Sequence, residues 1–247
     1  MSKTKSYEWF YENHFLMEMF RLLAKRGMSL WRMVYNRNQG GKSMKIITVS
    51  REFGSGGREL GKRLADALGM QYYDREILTA LAEQTAMDEA YVSKKMEQGN
   101  MQHFPITFAR TFSYGGGENN TAKLLAEQQK LLKKIAEKGG DFVIIGRNAD
   151  IALGEYHPLN LFVYADMESK VNRCMAREEG NLTAAEMAKR IKQVDKGRKK
   201  SRELMTERAW GAKEAYHLCI NTSDVTIKEI VPAIAEYAKI MLGRNAE

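Results

Sequence analysis

Twelve residues, Ser50-Arg-Glu-Phe-Gly-Ser-Gly-Gly-Arg-Glu-Leu-Gly61, carry the plainest chemistry in this chain. An apolar β-branched run, Ile46-Ile-Thr-Val49, leads into them and reads as a buried parallel strand. Leu60, Leu64, Ala67 and Leu68 follow at helical spacing, with Gly69 as a stop. Strand, glycine-rich turn and helix wrap phosphate, because glycines let the backbone approach the oxygens and a helix start offers N–H groups and partial positive charge. Backbone N–H groups of Gly54, Ser55, Gly56, Gly57, Arg58 and Glu59 are therefore expected to hold phosphate. Against G-x-x-x-x-G-K-[ST] the fit is partial: Arg51 stands at the first glycine, Gly57 at the lysine, and Arg58-Glu59 at the hydroxyl pair. Arg51, Arg58 and Lys62 are candidate replacement cations, Arg58 being nearest the helix start. Glu59 is a candidate ligand for magnesium, directly or through water. The plainer alternative is that Arg58 and Lys62, four apart, simply face solvent.

Three further groups of residues bear on the same chemistry. Phe142-Val-Ile-Ile145 is a buried strand that ends in Gly146-Arg147-Asn148, which puts a guanidinium at the carboxyl edge of the sheet. Arginine there grips a phosphate bidentately, or else pairs with a structural carboxylate. The run from Lys189 to Arg202 holds eight Lys/Arg against one Asp. On a helix it places Asp195, Arg198 and Arg202 on one face. Its Gly197 and its scarcity of apolar anchors suit a mobile lid carrying cations over phosphates. Gln71-Tyr72-Tyr73-Asp74-Arg75, after a short second strand, sets aromatics beside a charged pair, suited to a base and its phosphate. Equally, Tyr72 belongs to the core and Asp74 caps a helix.

Composition narrows the class. A chain of 247 residues, 44% hydrophobic and 28% charged, suits a soluble protein with one sizeable core and an appendage. Two cysteines without metal-ligand neighbours argue for a reduced, cytoplasmic setting. The net charge of +8 is uneven, with residues 1–43 holding eight Lys/Arg against three Glu. Nucleic acid, a membrane surface or a nucleotide polyphosphate would each suit basic segments, but no nucleic-acid motif is present. Glu18 and Arg21 break the aromatic and methionine-rich stretch before residue 43, so it is neither a span nor a signal peptide.

The elements that must position these residues alternate in the α/β manner. Strands are expected at 46–50, 142–145, 161–164 and 218–220. Helices are expected at 57–68, 75–97 (with Asp88 as an N-cap), 121–138, 168–179, 183–205 and from 226 to about 242. Thr183–Glu186 and Thr226–Glu229 are capping boxes. Residues 99–121 read as a mobile loop, and 1–43 as an N-terminal extension, helical or poorly ordered, whose aromatics suit a protein partner.

Taken together, I-I-T-V-S-R-E-F-G-S-G-G-R-E-L-G, Y-Y-D-R-E-I-L, V-I-I-G-R-N-A-D-I-A-L, D-K-G-R and A-W-G-A-K-E-A-Y-H-L-C-I-N-T-S resemble the cytidylate kinase-like family of P-loop nucleoside monophosphate kinases, from Met44 to about residue 242. The resemblance implies a three-layer α/β/α fold with a five-stranded parallel sheet. It also implies a monophosphate-binding insert at about 75–121 and a helical lid at about 180–205. Gly146-Arg147 matches the pair that holds the acceptor phosphate, with Asn148 in place of the family's aspartate. Asp195, Lys196 and Arg198 match the lid's aspartate–arginine–x–arginine, with lysine for the first arginine. Asn221-Thr222-Ser223 falls on the adenine-contacting loop, and Tyr73, Asp74 and Arg75 on the acceptor side.

The expected activity is transfer of phosphate from ATP, with Mg2+, to a small nucleotide acceptor such as CMP or dCMP. A kinase for another small metabolite and a nucleotide-binding regulator without turnover are the rivals. Arg58, Arg147, Lys196 and Arg198 are the expected catalytic cations. Because composition changes at the Gly40-Gly-Lys-Ser43 linker, a chain starting at Met44 is expected to fold and turn over like the full-length one. Insolubility or inactivity of that shorter chain would show that the extension packs on the domain.

Overall fold

The computed structural model describes residues 44–87, 117–177 and 182–244. Within them are strands β1 (Ile46–Arg51), β2 (Gln71–Tyr73), β3 (Phe142–Ile145), β4 (Leu159–Tyr164) and β5 (Leu218–Asn221). The described helices are α1 (Gly57–Leu68), α2 (Glu76–Thr85), α3 (Gly117–Lys138), α4 (Ala149–Ala152), α5 (Met167–Met175), α6 (Ala184–Glu203) and α7 (Ile227–Arg244). The five strands form one parallel sheet in the order β2-β3-β1-β4-β5.

Strand β1 sits at the centre because all six of its residues are buried. Strand alternation sends Ile47 and Val49 to one face, against Leu60 and Leu64 of α1 and Ile227 and Val231 of α7. Ile46 goes to the other face, with Leu132 and Ala136 of α3 and Ala149 and Ala152 of α4. Full burial of each Ile, Leu or Val among these side chains stabilises the three layers by roughly 1.5–3 kcal/mol. Chain order reverses on either side of β1, between β3 and β4, and that reversal opens a crevice at the carboxyl edge of the sheet.

Several sequence expectations need correction. The second strand is Gln71–Tyr73 itself, not a segment before it. Asp74 does not cap α2; Arg75 occupies that position, without a side-chain cap bond. As expected at 183–205, the basic run is one helix, α6, unbroken at Gly197; what needs correction is its expected scarcity of apolar anchors. Met187, Ile191 and Val194 recur on one face of α6 and are buried, the first two against Val171 and Cys174 of α5. Charged residues between these positions hid the stripe. The Thr183–Glu186 capping box is complete, and at the start of α7 the Thr226 N–H donates to Glu229 Oε2. Residues 1–43, and the 88–116 portion of the expected insert, lie outside the described residues.

The C-terminal end of α6 is pinned by charge. Arg202 Nη1 lies 2.7 Å from Asp150 Oδ2, with both side chains almost wholly buried. Its Nε donates to the Arg208 carbonyl, and its guanidinium lies over the Tyr216 ring. Removing one partner of such a pair leaves an uncompensated buried charge. Asp150→Ala is accordingly expected to cost roughly 3–5 kcal/mol in urea unfolding, and Asp150→Ala with Arg202→Met much less. Equal losses from the single and double variants would show that the pair is not the anchor.

Candidate functional site

The glycine-rich loop leaves β1 under several clamps. Gly54 and Gly56 adopt left-handed φ values of 80° and 81°, a conformation glycine takes without steric cost. Ser55 is fully buried and its Oγ donates to the Glu52 carbonyl. The Ser55 carbonyl accepts from Thr222 Oγ1 at 2.7 Å, tying the loop to the end of β5. Arg173 of α5 in turn donates to the Thr222 and Val225 carbonyls. On the other side, the Phe53 N–H donates to Asp195 Oδ1 of α6 at 2.7 Å. Lys170, also buried, lies 2.8 Å from Glu52 Oε2. The loop is thus held by α5, α6 and β5, while the first-turn N–H groups of α1 lack intrahelical acceptors.

Beside the loop, at the carboxyl edge of β1 and β3, lies a cavity of about 40 Å³ whose lining includes Arg51, Arg147, Asn148 and Arg198. Gly146, Arg147 and Asn148 all have left-handed φ, at 67°, 62° and 51°. For the two non-glycine residues this costs on the order of 1–3 kcal/mol each, and such strain persists only where the surroundings enforce it. Fully buried Gln128 donates to the Arg147 carbonyl at 2.7 Å, and Asn148 Nδ2 donates to Ser201 Oγ of α6 at 3.2 Å. Arg198 Nη1 donates to the Arg51 carbonyl at 3.0 Å, lies 3.5 Å from Asp195, and covers the Phe53 ring. Burial, opposed by Arg198 and the Phe53 N–H, pushes the Asp195 carboxyl up to about 6.

A second, more open cleft of about 410 Å³ lies between α1 and the β2–α2 turn, lined by Arg58, Glu59, Lys62, Tyr72, Asp74 and Arg75 among others. Buried Asp74 stands between two arginines, 2.6 Å from Arg58 Nε and 4.0 Å from Arg51 Nη2. Of the tyrosine pair, Tyr72 lines this cleft, its hydroxyl pushed up to about 12 by burial and then by Asp74. Tyr73 alternates to the other face, edge-on to Phe142. Both Glu59 oxygens are occupied, by Arg63 at 3.0 Å and Arg177 at 2.8 Å. Among the described residues no three His, Cys, Asp or Glu side chains gather as a metal cluster.

The fold therefore brings Arg51, Arg147, Asn148 and Arg198 around one cavity and Arg58, Glu59, Asp74 and Arg75 around another. Lys196 is exposed on α6 and lines neither. Asn221 Oδ1 accepts from the Ser223 N–H and Oγ, while Thr222 is fully buried beneath the loop. Gln128, Lys170, Arg173 and Ser201 went unnoticed in the sequence. Their partners lie 19 to 118 positions away, with no local motif to mark them. No helix among the described residues is long and apolar enough to cross a membrane.

A cytidylate kinase from Haloarcula marismortui is 27% identical over 134 residues, an alignment that spans 54% of this chain and 58% of that protein. An uncharacterized protein from Eubacterium ventriosum superposes with a TM-score of 0.59 at 24% identity, covering 79% of this chain and 99% of that one; this likeness speaks for the fold alone. A shikimate kinase from Bacteroides thetaiotaomicron gives a TM-score of 0.48 at 14% identity, covering 81% of this chain and 99% of that one. The sequence profile of the cytidylate kinase-like family matches residues 46–224, a stretch that holds the glycine-rich loop, both clefts and the whole of α6. By that match the chain belongs to the cytidylate kinase-like family.

Proposed function

We propose that this chain transfers the terminal phosphoryl group of ATP to a nucleoside monophosphate, with CMP or dCMP as the first acceptors to test. The observation that carries the reading is the grouping of Arg51, Arg147 and Arg198 around one cavity beside the glycine-rich loop. A monophosphate acceptor is already an anion, so the reaction needs no general base. It needs two polyanions aligned and their charge neutralised, which N–H groups and guanidinium groups supply.

In this reading the N–H groups of residues 54–59 hold the donor's β and γ phosphates, and Asn221-Thr222-Ser223 lies on the adenine side. Arg147, fixed by its strained turn, grips the acceptor phosphate. Arg198 approaches from α6, which excludes water as a lid does. The cleft with Tyr72, Asp74 and Arg75 leads toward the acceptor's nucleoside, with residues 75–121 as the acceptor-binding insert and 1–43 as an extension. If magnesium binds with the donor phosphates, it would neutralise their charge, and Glu59 would be the residue to contact it. A contact from Glu59 requires either its Arg63 or its Arg177 pair to open. Lys196 meets substrate only if α6 shifts. A cavity of about 40 Å³ is far below the roughly 300–1,000 Å³ of ordinary ligand sites, so its walls part to admit a nucleotide. One observation favours a different small-molecule acceptor: the Asn148 amide is already engaged by Ser201.

A coupled ADP-release assay over nucleoside monophosphates and small alcohols, with magnesium, tests the reading. Turnover should be highest with CMP or dCMP. Arg147→Ala should raise the acceptor KM by roughly tenfold or more, and Arg198→Ala should mainly lower kcat. Turnover on alcohols alone would move the chain to another kinase class, and a pure KM effect at Arg198 would remove it from the lid.

Docking of α6 on the loop has a pH signature. The Asp195 carboxyl is raised from about 3.8 to about 6 by burial. Its neutral form therefore contributes stability that is complete below about pH 4 and lost as pH rises through about 6. Asp195→Asn keeps an acceptor for the Phe53 N–H and removes this titration. Across pH 4 to 7, wild type should lose roughly 1–3 kcal/mol relative to that variant in urea unfolding. Parallel pH curves would mean that Asp195 is solvated.

A further inference from the structure

The loop has no lysine after Gly56, and the structure shows what takes that lysine's space. Gly57, the first residue of α1, has no left-handed φ that would demand glycine. Space demands it instead: a Cβ on Gly57 would lie 2.6 Å from Arg51 Cβ and 3.0 Å from Arg51 Cγ. The Arg51 stem thus crosses the helix start where a lysine stem at position 57 would begin. Farther out, a Cβ on Gly146 would fall 1.5 Å from Arg51 Nη1. The notch of that second glycine receives the guanidinium between the ends of β1 and β3. There Arg51 lines the same cavity as Arg147 and Arg198. Arg58, the nearer cation in sequence, is instead drawn by Asp74 toward the second cleft and remains 45% exposed.

We propose that Arg51 is the catalytic cation that stands in for the absent loop lysine, reaching over Gly57 and through the Gly146 notch to the terminal phosphate of the donor. This rests on the phosphoryl-transfer reading above. The substitution is a spatial exchange: the cation moves from the residue directly after Gly56 to the end of the strand, Gly57 leaves room for its stem, and the notch at Gly146, whose φ of 67° itself favours glycine, receives the guanidinium. A guanidinium in that place bonds two phosphate oxygens where an ammonium offers a point charge.

The exchange can be reversed. Arg51→Gly with Gly57→Lys rewrites the loop as the ordinary G-x-x-x-x-G-K pattern. Calorimetric titration of the full-length chain with ATP and magnesium, alongside thermal unfolding without nucleotide, reads four proteins. Arg51→Gly should weaken ATP binding by roughly 10- to 100-fold, the loss of a hydrogen-bonded charge. Gly57→Lys alone should lower Tm by roughly 2–10 °C, because its stem meets Arg51. The double variant should regain both the Tm of Arg51→Gly and most of the wild-type ATP affinity. Wild-type affinity in Arg51→Gly, or a double variant that binds no better than it does, would overturn the proposal and leave the kinase reading intact. Absence of ATP binding by wild type itself would overturn the kinase reading and this proposal with it.

Discussion

Three guanidinium groups share a small cavity at the end of the central strand, and the rest of the site is arranged around that crowding. Like charges withdrawn from water repel one another strongly, because the low-dielectric surroundings screen them little. The fold offsets this with backbone and carboxylate acceptors. Arg198 rests on the Arg51 carbonyl and beside Asp195, and Asp74 stands between Arg51 and Arg58. A bound polyanion would add further acceptors where the three guanidinium groups meet.

Carrying those charges demands rigidity from the backbone. The turn after β3 keeps two non-glycine residues in left-handed conformation, and Gln128 and Asn148 hold it there from α3 and toward α6. The loop after β1 is held in the same manner by Thr222, Asp195 and Phe53. Strain at one end and hydrogen bonds at the other fix the backbone of the loop and the turn before any ligand arrives, even though the cavity between them must open to admit one. That preorganisation is where most electrostatic catalysis originates.

Helix α6 links the two parts. Its apolar stripe rests on α5, its Asp195 caps the loop, and its Arg202 is buried against Asp150 beyond β3. Fastened at both ends, α6 places Arg198 and Ser201 on the cavity between its two anchors. The helix expected at 183–205 accordingly runs unbroken through Gly197. Gly197 lies on the buried face of the helix.

The architecture was legible because apolar β-branched runs and 3.6-residue stripes depend only on neighbours in the chain. Ile46–Val49, Phe142–Ile145 and the Leu60/Leu64 stripe announce a parallel sheet with covering helices, and Gly54 and Gly56 announce the glycine-rich loop. Sequence also placed Arg147 at a strand end and Arg198 on a helix. It did not show which tyrosine of Tyr72-Tyr73 lines the cleft, since alternation needs a register that only pairing with β3 supplies. Nor did it show that Arg51, not Arg58, crosses the helix start, or that Lys170 meets Glu52 across 118 positions. Backbone conformation and amphipathicity are local properties, so the chain by itself determined the elements and the loop. The pairing of buried charges depends on which distant side chains share a low-dielectric space, and only the tertiary structure decided that.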